Sequence, residues 1–393
     1  MANPYVKRYL MTAGPTPLPP AVSQVMAEPM LYHRAPAFVE VYARVLRRLK
    51  DVFQTENEVQ VFTSSGTGAL ESAVANLVRP GEAALVASCG KFGERWFELC
   101  EAYGAETIHW ETEWGQKIDP ATLDVKLSEH DGVEVVFTTF SETSTGVIND
   151  VRELNEVAHR HGALLAVDAV SGLGAVSLPQ DEWGVDVVVA GSQKALMAPP
   201  GLAFASANEA ALERAAANPG RRFYFDWIRT VEGQRQDPPD SPFTPAVGLI
   251  KALDVALEMI EREGLGQVFE RHALLGRATR EAAKALELDL LGTPDDNANV
   301  VTAMVLPDAI DGGRVPKLMR DRFGITIAGG QGKLKGRIAR VAHCGYFGAF
   351  DVIVTISALE MTLRELGHEA EPGAGVAAAQ RVFSDAGVAL LAG

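Results

Sequence analysis

The chain is 393 residues long, 47% hydrophobic and 22% charged, an ordinary globular composition with length enough for two cores. A formal net charge of −15 argues against a nucleic-acid binder, which would normally show a basic face. No run is apolar for long enough to span a bilayer, and residues 1–9 lack the apolar core of a signal peptide. The three cysteines, Cys89, Cys100 and Cys344, have no metal-type spacing, so a cytoplasmic protein without a metal centre is expected.

Residues 11–20, Met-Thr-Ala-Gly-Pro-Thr-Pro-Leu-Pro-Pro, hold too much proline for a helix, and residues 1–20 read as an extended arm. From about residue 60 short apolar strands alternate with amphipathic helices. Strands are predicted at 83–87, 106–110, 134–138, 163–168, 186–190 and 203–205. Helices fall between them, as at 151–161, where Val151, Leu154, Val157 and Ala158 share one face. Such alternation predicts an α/β fold with a mostly parallel, doubly wound sheet over 21–255, its site at the carboxyl ends of the strands. A long helix at 245–263 leaves this region. Helices at 265–286, 313–323 and 350–366 and strands at 300–305 and 336–342 then predict a smaller α+β domain over 256–393. The Ala- and Gly-rich tail from Gly367 carries no predicted element.

Lys194 is the residue that points to chemistry. The run of valines Val187-Val188-Val189, with Ala190, is continuously apolar, as in a strand buried on both faces, and Gly191-Ser192 supplies the turn that ends it. Lysine is thereby delivered to the rim of a core, where desolvation lowers its pKa and lets it form an imine with a carbonyl. Asp168 closes the preceding strand, and a carboxylate beside such a lysine is what pyridoxal phosphate requires at its ring nitrogen. Alone, the lysine would be a solvated loop residue and the aspartate a turn former; together they favour the cofactor. Upstream, a short strand ending at Phe62 leads through Thr63-Ser64-Ser65-Gly66-Thr67-Gly68 into a helix, whose start can bind an anion. Ser65, Gly66 and Thr67 would hold the phosphate, although a simple capped helix has the same pattern. Phe92 could stack on the pyridine ring or serve as a core phenylalanine.

With these motifs in line, the chain resembles the class V aminotransferases of pyridoxal-phosphate fold type I, and most closely the alanine–glyoxylate and serine–pyruvate or serine–glyoxylate branch. The likeness runs from Ala13-Gly14-Pro15 to about Leu366, and is most specific in Gly191-Ser192-Gln193-Lys194 followed by Ala198-Pro199-Pro200-Gly201. It implies further roles. Thr143, in Ser141-Glu142-Thr143-Ser144-Thr145-Gly146, should approach the ring hydroxyl, and Val170 should pack on the ring face opposite Phe92. Gln193 should bond the phosphate, as should Thr244 from the neighbouring subunit of a homodimer with active sites at its interface. Arg340 should clamp the substrate carboxylate with its planar fork, and Gly14 should lie on the substrate side.

The resemblance implies pyridoxal 5′-phosphate as cofactor and transfer of an amino group from alanine or serine to a 2-oxo acid such as glyoxylate or pyruvate. Lys333 and Lys335 keep an aspartate donor open, although they read better as a solvated basic loop. Departures from relatives are Phe92 for tryptophan, Phe140 for histidine, expected to alter the substrate side, and Ser241 for tyrosine, expected to remove a phosphate contact. A cysteine desulfurase or other lyase of the class would need an exposed cysteine, for which Cys344 is the candidate. A non-catalytic scaffold of the same fold would have no use for the lysine, aspartate and arginine together.

Overall fold

Continuous apolar runs become strands buried on both faces. Val187–Gly191 is buried at every residue, as are Val135–Thr139 and Ala203–Ala207. In this computed structural model, which describes residues 7–292 and 298–387, the strands lie within two residues of their predicted positions. They form one seven-stranded sheet in the order Val59–Phe62, Ala203–Ala207, Val187–Gly191, Leu164–Asp168, Val135–Thr139, Ala83–Ser88, Glu106–Glu111. Pairing is parallel except for Ala203–Ala207, which runs antiparallel to both its neighbours. The register sets Thr139 beside Asp168, Asp168 beside Val189, and Gly191 beside Ala203.

Alternate residues feed opposite faces. Val136, Leu165, Val188 and Phe204 face one apolar layer with helices Pro36–Phe53, Val151–Arg160 and Val247–Glu263. Val135, Phe137, Ala166 and Val189 face the other, with helices Gly66–Leu77 and Lys91–Ala102. Helix Val151–Arg160 starts where predicted because the Asp150 carboxylate accepts the Glu153 N–H, while Val151, Leu154, Val157 and Ala158 go inward. Helix Pro36–Phe53 was not predicted, yet proline opens it and Phe38, Tyr42, Val45, Leu49 and Val52 form its buried stripe.

A second apolar core surrounds a three-stranded antiparallel sheet of Val301–Val305, Ile338–Ala342 and Ala328–Gly329. Helices Leu265–Ala285, Val315–Phe323 and Ala349–Glu365 cover it. The tail left unassigned from sequence contains helix Ala374–Asp385, anchored by Ala379 and Phe383; residues 388–393 lie outside the described residues.

The N-terminal arm is extended but not loose; its first six residues, with most of the stretch read for a signal peptide, lie outside the described residues. Strand Tyr9–Leu10 pairs in parallel with Ile325–Thr326. Met11 donates its N–H to the Thr326 carbonyl (2.8 Å) and accepts the Ala342 N–H (3.1 Å), and Met11 and Ala13 are buried in the second core. The Thr16 hydroxyl then bonds the Lys194 carbonyl at 2.9 Å. Residue 20 already opens helix Pro20–Val25, so the predicted arm ends one residue early. Among the described residues no helix is long and apolar enough to cross a membrane.

Candidate active site

Because the parallel strands end on one edge of the sheet, the segments that follow them converge there. They enclose a cavity of about 250 Å³ lined by Gly14, Ser65, Gly66, Thr67, Phe92, Thr143, Asp168, Val170, Gln193 and Lys194, among others. Every residue predicted for the site except Thr244 and Arg340 is in that lining.

Lys194 follows strand Val187–Gly191 and is only 8% exposed. Burial pushes its amine below the ordinary lysine value, with Asp168 among the charges that oppose the shift. Its Nζ donates to the Ala13 carbonyl. A Cβ on Gly14 would stand 2.4 Å from Lys194 Cε, and Gly14 has φ +131°, so both space and backbone call for glycine. The arm therefore closes directly over the amine. Asp168 ends its strand inside the same cavity. Burial raises its carboxyl to about 7, Glu142 adding to the shift, while the Val170 N–H bonding its Oδ1 at 2.8 Å and the nearby Arg95 and Lys194 oppose it. An amine whose pKa burial lowers and a carboxyl whose pKa burial raises thus share one desolvated space.

The opposite end suits an anion. Ser65 is the N-cap of helix Gly66–Leu77 and makes no side-chain bond to it, so the first turn is uncapped where Ser65, Gly66 and Thr67 line the cavity. The Gln193 amide oxygen and the Ser141 hydroxyl are buried without partners. An uncapped helix start, an unpartnered Ser141 hydroxyl, a buried carboxyl and a buried lysine fit pyridoxal 5′-phosphate.

Phe92 lies in the first turn of helix Lys91–Ala102. What fixes it is Glu142, which was quoted in its motif without a role. Fully buried, Glu142 accepts the N–H groups of Phe92 and Gly93 through Oε2 (3.0 Å each) and the Ser144 hydroxyl through Oε1 (2.6 Å). Burial raises its carboxyl, and these bonds pull it back down. It caps a helix 50 residues away in sequence, a pairing no local pattern announces. Val170 packs against Gly66, whose Cβ would come within 2.9 Å of it. Thr143 shares a 2.6 Å hydroxyl contact with Ser171, a lining residue not singled out from sequence.

Arg340, 5% exposed, sits behind Thr143 rather than in the lining. Its Nη1 donates to the Thr143 carbonyl (2.6 Å), and Nη2 and Nε donate to the Gly329 carbonyl (2.7 and 3.0 Å). It has no carboxylate partner among the described residues, and burial lowers its pKa with only Glu142 opposing. A buried guanidinium satisfied by carbonyls alone lacks the counter-charge that would repay its desolvation.

One expectation changes. Phe140 does not touch the substrate side: it is a core residue packed against Gly172, and Ser141 is the residue of that turn facing the cavity. Thr244 is exposed in an open groove with Met30, Leu31 and Tyr32, and the Ser241 hydroxyl bonds the Phe243 carbonyl at 2.8 Å, also outside the cavity. Lys333 pairs with Glu111 over the Trp114 ring, away from the site. All three thiols are buried, that of Cys344 pushed up to about 11, so no exposed cysteine is present for a desulfurase. Arg95, overlooked from sequence, lines the cavity one helical turn after Phe92.

The family described as aminotransferase class-V matches residues 8–340. The chain is 44% identical to the soluble hydrogenase small subunit of Synechococcus sp., across 97% of this chain and 99% of that one. It is 33% identical to the serine–glyoxylate aminotransferase of Methylorubrum extorquens, across 95% of each. Among solved structures, the ureidoglycine–glyoxylate aminotransferase of Bacillus subtilis superposes with a TM-score of 0.91 at 30% identity, covering 98% of this chain and 99% of that one. The architecture is that of the fold type I enzymes, and the cofactor that goes with it is pyridoxal 5′-phosphate. This chain belongs to the class-V aminotransferases, and it is a pyridoxal-phosphate-dependent transaminase.

Proposed function

We propose that this transaminase moves an amino group from a small amino acid, serine or alanine, to glyoxylate or pyruvate. The observation that carries the reading is the pairing of the Lys194–Asp168 cavity with a buried Arg340 that lacks a carboxylate. Bound there, the cofactor supplies an electron sink for the bond that breaks at the substrate's α-carbon. Lys194 would take up and return the proton at the substrate's α-carbon, a task suited to an amine whose pKa burial has lowered. Asp168 holds the proton on the ring nitrogen. Ser65, Gly66, Thr67 and Gln193 would hold the phosphate, and Phe92, Val170 and Thr143 would hold the ring. Arg340 orients the carboxylate of donor and acceptor alike, beside Gly14. Lys333 is engaged with Glu111, Lys335 is exposed, and neither lines the cavity, so that loop does not favour aspartate.

An absorbance spectrum titrated with a panel of amino acids tests this: serine or alanine should shift the visible band and release the matching keto acid. A shift with aspartate alone would overturn the donor assignment. Arg340→Lys should raise KM for amino and keto acids about tenfold or more, since a charge-assisted contact contributes roughly 1.5–3 kcal/mol. An unchanged KM would remove Arg340 from the site.

The same reading makes the enzyme a cytoplasmic homodimer, with a cofactor domain over 21–255 and a smaller one over 256–393. Three buried free thiols suit a reducing compartment. Exposed Met30 and Tyr32 beside Thr244 suit a surface that a second copy covers while Thr244 reaches the partner's phosphate site. Sedimentation equilibrium decides: a monomer at micromolar concentration would end this part of the reading.

A further inference from the structure

Arg95 is a cation without an assignment. It projects from helix Lys91–Ala102 into the cavity lining, with its guanidinium carbon 5.2 Å from the centre of the Phe92 ring. Its Nη1 donates to the Thr67 hydroxyl at 3.2 Å, which places it at the anion end. Among the described residues it forms no ion pair, and the Thr67 contact is its hydrogen bond to another side chain, so most of its five donors remain available.

The charge balance of the cavity gives this meaning. The other cation in the lining is Lys194, whose amine is claimed by the chemistry and favoured neutral by burial. Asp168 lines the same space and Glu142 lies just behind it. A helix start contributes only about half a unit of positive charge, against a phosphate that carries close to two negative ones. Without a further cation the site would desolvate more negative than positive charge. Arginine is the suitable residue because its charge survives burial and its planar fork can take two phosphate oxygens.

We propose that Arg95 is a cofactor-binding residue, its guanidinium being the fixed positive charge that receives the cofactor's phosphate together with the helix start at Ser65–Thr67. This rests on the cofactor assignment above and extends it to a residue outside the set read from sequence. The contact with Thr67 sets one edge of the guanidinium at the phosphate end.

The test compares pyridoxal 5′-phosphate with pyridoxal, which lacks the phosphate, by absorbance titration of cofactor-stripped protein. In Arg95→Gln the dissociation constant for pyridoxal 5′-phosphate should rise about tenfold to a hundredfold, while that for pyridoxal stays within about twofold of wild type. Inorganic phosphate should compete with the cofactor in the wild type and lose that competition in the variant. Arg95→Lys, which keeps the charge and loses the fork, should fall between and serves as the folded control. Equal loss of both ligands would mean that Arg95 only props up Phe92 and would overturn the proposal, as would no change in either. A wild type that takes up neither ligand would instead sink the cofactor assignment, and this role with it.

Discussion

Replacing Lys194 by alanine is expected to abolish turnover and, in the same protein, the visible absorption that marks a cofactor linked to lysine. The two losses belong together because one amine serves both purposes. Burial lowers its pKa, and the absent Cβ of Gly14 leaves space for its side chain. General acid–base transfer alone is worth about 10²–10⁴-fold, so the residual rate should lie at or below the thousandth part of wild type. The variant leaves a small hole where the side chain was, and a small exogenous amine should restore part of the rate. Turnover at the wild-type level would discard the mechanism. Loss of the band with turnover intact would show that some other base moves the proton.

Asp168→Asn should uncouple stability from activity. Activity should fall by roughly 10²–10³-fold, the usual consequence of removing one preorganised charge from a reacting centre. Stability should move the other way in cofactor-free protein. The folded Asp168 carboxyl is raised to about 7 from its ordinary value of 3.8, so below pH 4 both folded and unfolded chains carry the proton and nothing is lost. As pH rises from about 4 to 7, the unfolded chain releases that proton and the folded one retains it. Stability of the wild type is lost over that window. Asparagine has no proton to give up and can still accept the Val170 N–H. In urea melts at pH 8 the variant should therefore be the more stable by up to a few kcal/mol, and at pH 4 the two should coincide. A wild type that gains stability on the variant as pH rises would show that Asp168 is not held in its neutral form.

Much of this was legible because the fold encodes its large sheet in local pattern. The valine run before Lys194 and the alanine–leucine run before Asp168 can each be only a buried strand, and a parallel sheet puts their ends side by side without further information. The Ser65–Thr67 turn was equally local. What escaped reading was what depends on partners distant in the chain. Phe140 looks like a site residue by position, yet the next residue in an extended turn faces the other way, and Ser141 takes the cavity. Glu142 acts on Phe92 and Gly93 through space, and Arg95 reveals itself only once helix Lys91–Ala102 is set against helix Gly66–Leu77. Helix Pro36–Phe53 is the exception: its stripe of Phe38, Tyr42, Val45 and Leu49 was there to be found.

The arm that crosses Lys194 has a mechanical consequence. Met11 is bonded to Ala342, two residues beyond Arg340 on the same strand, and three residues later Gly14 lies against the Lys194 side chain. The strand that carries Arg340 and the backbone that covers the Lys194 amine are thus joined through the Met11–Ala342 hydrogen bond and two intervening residues.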